Sequence, residues 1–222
     1  MTAPSDRFAI LLDGDLRPTD RLRRQLQGCR VFAADGGIRH AEALNLEPEL
    51  WLGDFDSDDD DLRERHARVV RRDYPRDKAM SDGEIAIRQA LDEGARELVL
   101  AGALGGERSD HAIFNLTGAL ALAVERPDIR IVLTSGTEEA LPVVPGVALR
   151  PDWPEGTIFS VAGFSIMSGL TVSGAKWPLD AVEVPFGSTW TLSNAVGKEM
   201  EIMLKEGRAV ALCRFDKSSA PV

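Results

Sequence analysis

The 222-residue sequence is poor in cysteine and has no long apolar run. Its two cysteines, Cys29 and Cys213, lie far apart, which is not the pattern of a disulfide framework or of a cysteine-rich metal site. No stretch approaches the roughly eighteen apolar residues of a membrane-spanning helix. The first residues show no basic segment followed by an apolar one, as a signal peptide would. We therefore expect a soluble, cytoplasmic protein.

Basic residues are also few. The chain has 26 Lys and Arg against 36 Asp and Glu, a formal net charge of −10. A nucleic-acid-binding protein needs a basic face to displace counterions, and an anionic membrane surface attracts basic segments. The composition therefore argues against both partners. An acidic protein can still bind a nucleotide where a metal ion and a few arginines reverse the local field.

Two parts of the sequence differ in their pattern of apolar residues. In the first part, short apolar runs alternate with amphipathic stretches, which predicts a mostly parallel sheet covered by helices. After about residue 141, prolines and glycines separate short β-prone runs, which is typical of a small sandwich. We therefore expect an α/β protein with an N-terminal, mostly parallel α/β (Rossmann-like) domain over residues 1–140 and a C-terminal β-sandwich over residues 141–222.

The pattern also predicts the bounds of individual elements. In the first part, strands are predicted at Phe8–Leu12, Arg30–Ala34, Glu49–Leu52, Arg68–Arg72, Glu97–Ala101 and Ile129–Thr134. Helices are predicted there at Asp82–Asp92 and Ser109–Arg126. In the second part, we expect no long helix, and strands are predicted at Gly156–Ala162, Ser188–Leu192 and Glu199–Leu204.

Aspartates follow the predicted strands of the first part. Asp13 and Asp15 follow the first strand, Asp35 follows the second, and Asp54 and Asp56 follow the third. Ligands bind outside the carboxyl ends of parallel strands, so we expect these side chains along one edge of the sheet. An extended segment would place Asp54 and Asp56 on one face.

A metal site is the interpretation that the aspartates favour. Crowded carboxylates repel one another, and a divalent cation relieves that repulsion. Oxygen ligands without nearby histidine or cysteine favour magnesium or calcium over zinc. Aspartates at strand ends also form turns and helix caps. Asp35, Asp54 and Asp56 each lie close to a glycine, and as a set they favour the metal site.

Two loops with glycine pairs are candidates for phosphate binding. Gly36 and Gly37 follow Asp35, just after the second strand. The other loop leaves a predicted strand, passes through Gly105 and Gly106, carries Arg108 and enters a helix. The N-terminus of a helix favours an anion, and glycines let backbone N–H groups approach it. The common nucleotide fingerprints GxxxxGK[ST] and GxGxxG do not occur.

Five short motifs occur in a fixed order between residues 34 and 194. They are ADGG at 34–37, GDFDS at 53–57, KAMSD at 78–82, GGERSDH at 105–111 and the pair Ser193-Asn194. In this order they resemble the motifs of the thiamine pyrophosphokinase family, in which ADGG followed by GDFDS is specific. Two positions depart from the family pattern. Ala79 stands where an acidic residue is usual, and Glu107 either replaces a small residue or is an insertion.

The resemblance implies a magnesium-dependent transfer of diphosphate from ATP to the hydroxyl of thiamine, giving thiamine diphosphate and AMP. It implies catalytic and metal-binding roles for Asp35, Asp54, Asp56 and Asp82. It implies contacts with the ATP phosphates from Gly36, Gly37, Lys78, Gly105, Gly106, Arg108, Asp110 and His111. It implies that thiamine is bound by Ser193, Asn194 and the aromatic face of Trp177. A homodimer with composite sites between the α/β domain of one subunit and the sandwich of the other is implied as well.

Three other functions stay open on the sequence alone. The same chemistry can act on another small alcohol, such as a hydroxymethylpterin, because resemblance fixes a reaction better than a substrate. Asp13 and Asp15, in LLDGD, meet one requirement of phosphatases of the haloacid dehalogenase type. A nucleotide-binding regulator without catalysis is the third, and the missing carboxylate at Ala79 is the main argument for it.

Overall fold

The structure, a computed structural model, describes residues 5–55, 60–75 and 79–215 of the chain. The chain separates into two compact units. The first extends to residue 115 and includes residues 129–136, and the second comprises residues 116–128 and the chain from residue 137. The fold is α/β, with parallel strands in the first unit and antiparallel strands in the second. The division into functional domains after residue 140 stays a prediction.

The first unit contains the parallel strands and most of the helices. Its strands are β1 (Arg7–Leu11), β2 (Arg30–Ala34), β3 (Leu50–Gly53), β4 (Val70–Asp73), β5 (Glu97–Ala101) and β6 (Arg130–Thr134). Its helices are α1 (Asp20–Leu26), a 3₁₀ helix (Asp35–Arg39), α2 (His40–Leu44), α3 (Asp60–Arg65), α4 (Asp82–Asp92) and the start of α5 (Ser109–Glu125), which continues into the second unit. The six predicted strands and two predicted helices all form, each within two residues of the expected bounds. Within the described part of the chain, no helix has both the length and the apolar character needed to cross a membrane.

The order of the parallel strands reverses beside β1. The sheet runs β6-β5-β1-β2-β3-β4, so the chain moves outward from β1 to β4 and then returns to place β5 on the other side of β1. The core residues of β1, Phe8 to Leu11, are wholly buried, as expected for a strand covered on both faces. In an open parallel sheet, the loops that leave such a reversal form the ligand crevice.

The second unit consists mainly of antiparallel strands. They are β7 (Glu138–Val143), β8 (Ile158–Gly163), β9 (Met167–Ala175), β10 (Leu179–Val184), β11 (Asn194–Met203) and β12 (Ala209–Arg214). They pair in the order β7-β12-β8-β11-β9-β10. Strand β11 pairs with β8 through Asn194 and Ala195, and with β9 from Val196 onward. Strand β11 therefore joins the group β7, β12 and β8 to the pair β9 and β10.

The strand predicted at Ser188–Leu192 is wrong. This segment forms turns, in which the Ser188 N–H donates to Pro185 O and the Leu192 N–H donates to Thr189 O, both at 3.1 Å. Threonine and tryptophan have high β-propensity, but local turn hydrogen bonds form here in place of a strand ladder, although Thr191 O also accepts from the Val161 N–H of β8 at 3.1 Å.

Strand β7 begins before the expected start of the β-rich part. Pro142 lies inside it and pairs in register with Val210 of β12. Proline is normally confined to edge strands, and the sequence pattern predicts prolines between strands in this part of the chain. Strands β9, β10 and β12 were not predicted either, and Glu199–Leu204 covers only the second half of β11.

Candidate active site

Asp35 is the residue at which β2 gives way to the 3₁₀ helix. Its φ is +45°, in the left-handed region that Asp and Asn tolerate better than most residues. Its backbone oxygen accepts a hydrogen bond from Nε1 of the buried Trp51, at 2.9 Å. Its carboxylate Oδ1 is buried and has no hydrogen-bond partner among the described residues. Leaving such an oxygen without a donor is costly, so this atom is suited to a ligand.

Asp54 directly follows β3 and is placed by its neighbour Phe55. The Phe55 side chain is buried, and its ring packs edge-on against Trp51 with centroids 5.0 Å apart. The Arg71 guanidinium lies 3.9 Å from the same ring centroid. Phe55 has a φ of +54°, so the chain is not extended at Phe55. The expected common face for Asp54 and Asp56 stays a prediction. Asp56 itself lies outside the described residues.

Asp82 is the first residue of α4. Ser81 caps this helix, because its Oγ accepts a hydrogen bond from the Glu84 N–H at 3.2 Å. A carboxylate in the first turn is stabilised by the positive end of the helix dipole. Helix α4 contacts β1, β2 and β3, which brings Asp82 to the edge of the sheet where Asp35 lies.

The carboxyl group of Asp35 has three acidic neighbours. Burial raises the pKa of Asp35 from 3.8 to about 6, and the charges of Asp82, Asp54 and Asp13 act in the same direction. A hydrogen bond from the Gly36 N–H opposes the rise. The structure therefore brings Asp35, Asp54 and Asp82 into one electrostatic neighbourhood. Asp35 and Asp54 were expected at one edge of the sheet from their positions after strands, and the resemblance implied Asp82.

These carboxylates suit a magnesium ion by the chemistry of their donors. All of them offer oxygen atoms, and one buried oxygen of Asp35 has no donor among the described side chains. Within residues 5–55, 60–75 and 79–215, no three acidic, histidine or cysteine side chains are gathered closely enough to hold a metal alone. Magnesium usually takes one or two carboxylates and completes its shell with water and phosphate oxygens.

Asp35 should make the stability of the metal-free protein depend on pH. Its pKa is raised from 3.8 to about 6, so the folded chain holds the proton more tightly than the unfolded chain. This stabilisation is complete below about pH 3.8 and is lost as the pH rises through about 6. Asp35→Asn keeps the left-handed backbone and carries no charge. In EDTA, we expect the variant to have a melting temperature a few degrees higher than the unaltered protein near neutral pH, a difference that vanishes on acidification. A difference that does not change with pH would contradict this account.

The loop after β1 is held by Arg39 and His40, which sequence reasoning did not select. The Arg39 guanidinium pairs with Asp13 Oδ1 at 2.9 Å and donates to the Asp13 backbone oxygen at 2.6 Å. His40 Nε2 donates to Gly14 O at 3.0 Å, and burial lowers the pKa of His40, so the ring is neutral at physiological pH. Both residues lie within six positions of Asp35, and that proximity was the available signal.

The loop between β5 and α5 packs against the loop after β1. Gly102 has a φ of +79°, and a side chain there would meet Leu12 O at 2.2 Å, so only glycine fits. Gly105 and Gly106 also have positive φ, at +72° and +99°. Gly106 lies against Gly14: a Cβ added to Gly106 would lie only 3.1 Å from the Gly14 Cα. The loop therefore lies at the strand-order reversal, where a phosphate site is expected.

Arg108 is paired with Asp110 in the structure. Its Nε and Nη2 lie 2.9 and 2.7 Å from the two carboxylate oxygens. The hydrogen bonds from Arg108 lower the pKa of Asp110 to about 2. Arg108, Asp110 and His111 are all exposed at the start of α5. The same two-pronged geometry binds phosphate, which would have to displace Asp110. Lys78 lies outside the described residues.

Trp177, Ser193 and Asn194, the three residues proposed for thiamine, line one pocket of the second unit. Its volume is about 350 Å³. The other lining residues are Phe159, Val161, Val172, Leu179, Trp190, Thr191 and Leu192. The walls are thus mostly apolar and aromatic, with a few polar groups, as in sites for small organic ligands.

Asn194 holds the backbone of Trp177. Its Oδ1 accepts from the Trp177 N–H at 3.0 Å and the Ala195 N–H at 2.8 Å, and its Nδ2 donates to Trp177 O at 2.7 Å. Ser193 has a φ of +60°, and its N–H donates to Ser160 Oγ at 3.1 Å. The Ser193 hydroxyl makes no hydrogen bond to any residue that the structure describes. Asn194 therefore positions one wall of the pocket, and Ser193 offers a hydroxyl at its rim.

Solved structures with this fold come from several organisms. Thiamine pyrophosphokinase from Bacillus subtilis has a TM-score of 0.79 and 22% identity, over 95% of this chain and 99% of that one. The protein from Geobacillus thermodenitrificans has a TM-score of 0.77 and 23% identity, and the match covers 96% of this chain and 100% of that one. The protein from Candida albicans has a TM-score of 0.75 and 12% identity, and the match covers 97% of this chain and 96% of that one. A search of curated proteins found no match. At these identities, the similarity shows the fold.

Two family models match the chain one after the other. The model described as the catalytic domain of thiamin pyrophosphokinase matches residues 25–133, which include the carboxylates and the glycine loops. The model described as its vitamin B1 binding domain matches residues 149–208, which include the pocket. These matches cover 109 and 60 residues, together 169 of 222. With both domains matched in order and the fold shared, the chain belongs to the thiamine pyrophosphokinase family.

Proposed function

We propose that this chain transfers the diphosphate of ATP to the hydroxyl of thiamine, releasing AMP, in a reaction that requires magnesium. The observation that carries the proposal is the presence of two complementary sites on one chain. One is the group of carboxylates around Asp35, and the other is the aromatic pocket of about 350 Å³. The vitamin B1 binding match covers the pocket, which favours thiamine over another small alcohol.

The two sites correspond to a division of roles along the chain. In this proposal, the Rossmann-like domain of residues 1–140 binds ATP and the metal, and the β-sandwich of residues 141–222 binds thiamine. The strand-order reversal beside β1 supports the first assignment, because nucleotides bind at such points. The two pairing partners of β11 support a sandwich arrangement for the second.

The metal ligands in this proposal are Asp35, Asp54 and Asp82, with Asp56. Magnesium, when bound, supplies positive charge that neutralises the phosphate oxygens as the reaction proceeds. The buried Oδ1 of Asp35 and the raised pKa of its carboxyl support a place for a cation there. The missing acidic residue at Ala79 leaves the other carboxylates in place.

The remaining residues position the two substrates. Asn194 holds Trp177 at the pocket wall, and Ser193 offers a hydroxyl, so that the alcohol of thiamine is presented in one orientation. The contacts to the ATP phosphates are assigned to Gly36, Gly37, Lys78, Gly105, Gly106, Arg108, Asp110 and His111. Attack of the hydroxyl on the β-phosphorus then expels AMP. Orientation and charge stabilisation carry most of such a displacement, so a strong general base is not required.

The products distinguish this reaction from that of an ordinary kinase. With ATP, magnesium and thiamine, we expect AMP and thiamine diphosphate in equal amounts, because attack at the β-phosphorus moves two phosphoryl groups together. Phosphorus NMR or anion-exchange chromatography measures both products. ADP with thiamine monophosphate would mean attack at the γ-phosphorus. Hydroxymethylpterin is the control acceptor, and its efficient conversion would reassign the substrate.

We also propose a two-fold homodimer with composite sites, in which thiamine lies between the α/β domain of one subunit and the sandwich of its partner. Two apolar side chains of α5, Ile113 and Phe114, are 55% and 74% exposed, which is consistent with a surface that a second subunit covers. Sedimentation is expected to give twice the chain mass of 24.1 kDa. A fully active monomer at assay concentration would refute the dimer.

A further inference from the structure

Trp51 contacts two of the candidate metal-binding segments of the first unit. It belongs to β3, and its side chain is wholly buried. Its indole Nε1 donates a hydrogen bond to the Asp35 backbone oxygen at 2.9 Å. The ring of Phe55, the residue after Asp54, packs edge-on against the same indole, with centroids 5.0 Å apart. One side chain therefore links the segment that carries Asp35 to the segment that carries Asp54.

Both segments have a backbone conformation that needs support. The φ of Asp35 is +45° and that of Phe55 is +54°, in the left-handed region. Residues other than glycine adopt this region at an energetic cost and persist there where the surrounding structure holds them. The hydrogen bond from Trp51 holds Asp35, and the packing of the indole holds Phe55. We therefore expect the placement of both carboxylates to depend on Trp51.

The two segments approach each other closely at Gly53. Strands β2 and β3 are neighbours, with Ala34 opposite Leu52, so Asp35 comes next to Gly53. A Cβ added to Gly53 would lie 3.3 Å from both the Cα and the carboxylate Oδ1 of Asp35. This oxygen is the buried one without a donor among the described residues. Close packing thus sets the separation between Asp35 and the chain that leads into Asp54.

Other side chains fix the orientation of the indole. The Arg71 guanidinium of β4 lies 5.1 Å from the Trp51 ring centroid and 3.9 Å from that of Phe55. The buried His66, directly after α3, packs edge-on against the indole, with centroids 6.3 Å apart. The indole is therefore held in place before a ligand arrives.

We propose that Trp51 is a positioning residue that couples Asp35 to Asp54 and thereby sets the affinity of these carboxylates for a divalent cation. The indole N–H is a donor only, so Trp51 does not ligate the cation and acts through the two aspartates. The inference rests on the proposed function, because magnesium is the cation considered. Groups that orient metal ligands typically contribute about ten- to a hundredfold to metal affinity.

The test measures manganese binding to the metal-free full-length chain by electron paramagnetic resonance, with manganese as the probe for the magnesium site. Trp51→Phe keeps an aromatic ring in the core and removes the hydrogen-bond donor to Asp35 O. We expect this variant to raise the dissociation constant for manganese roughly tenfold. Phe55→Leu removes the ring that packs against Trp51 and changes no charge, and we expect a several-fold rise. This second variant decides the question if the first does not fold.

Steady-state assays supply a second readout. The magnesium concentration that gives half-maximal transfer should rise by the same factor in each variant. KM for thiamine should stay unchanged, because Trp51 and Phe55 are not part of the pocket lining. A merely structural defect lowers the active fraction, and with it kcat, without moving the magnesium dependence.

Trp153→Phe is the matched control. It removes the same kind of bond from a buried tryptophan of the second unit, whose Nε1 donates to Glu139 Oε2 at 2.9 Å. We expect a lower melting temperature and an unchanged dissociation constant for manganese. Unchanged manganese binding in Trp51→Phe and Phe55→Leu, or a lower kcat with the same magnesium dependence, would overturn the inference and leave the proposed function standing. Absence of diphosphate transfer by the unaltered protein would instead overturn the proposed function, which the manganese titration does not measure.

Discussion

Asp54→Asn is expected to lower the turnover number by on the order of a hundred- to a thousandfold while leaving the fold intact. The substitution keeps the size of the side chain but removes a charge that, in the proposed reaction, holds magnesium against the phosphates. The fold should survive because the buried Phe55 anchors this segment against Trp51 whatever stands at position 54. Steady-state assays at millimolar magnesium measure the loss.

The same variant has a second expected property. The charge of Asp54 contributes to raising the pKa of Asp35, so its removal relieves repulsion within the group. We therefore expect a melting temperature in EDTA that is equal to or higher than that of the unaltered protein. Asp92→Asn is the control, because Asp92 is an exposed residue at the far end of α4. It should leave turnover unchanged. Full activity of Asp54→Asn at millimolar magnesium would remove Asp54 from the site.

Removal of magnesium with EDTA is expected to abolish diphosphate transfer and to leave thiamine binding in place. The carboxylates belong to the first unit, whereas the pocket belongs to the second and has no carboxylate in its lining. Thiamine binding can be followed by tryptophan fluorescence. Two of the four tryptophans, Trp177 and Trp190, line the pocket, and the other two, Trp51 and Trp153, are buried.

EDTA should therefore affect diphosphate transfer but not the tryptophan fluorescence that reports thiamine binding. Quenching by thiamine should be the same with EDTA and with magnesium, and transfer should return when magnesium is added in excess. Loss of quenching in EDTA would mean that a metal forms part of the thiamine site. Turnover in excess EDTA would mean that the reaction does not need the metal.

Most of the parallel unit was predictable from short-range pattern. Strands β2 and β5 form at the predicted bounds, because a strand buried on both faces appears in the sequence as a continuous apolar run. Helix α4 has a serine cap at one end and Gly94, with a φ of +92°, just beyond the other. In the antiparallel unit, the pattern was weaker. Long β11 divides its pairing between two strands, and turn hydrogen bonds replaced the strand predicted at Ser188–Leu192.

By itself, the sequence determined which residue types follow the strands and precede the helices. That was enough to select Asp35 and Asp54, because strand ends are set by local spacing. The order of the short motifs supplied the resemblance to the family, and the resemblance added Asp82. The tertiary structure decided what those groups contact. It left Asp35 Oδ1 without a donor among the described residues, paired Arg108 with Asp110, and placed the Lys176 ammonium over the Trp177 ring. Burial and electrostatic fields sum over groups from distant segments, and spacing along the chain does not encode which segments meet.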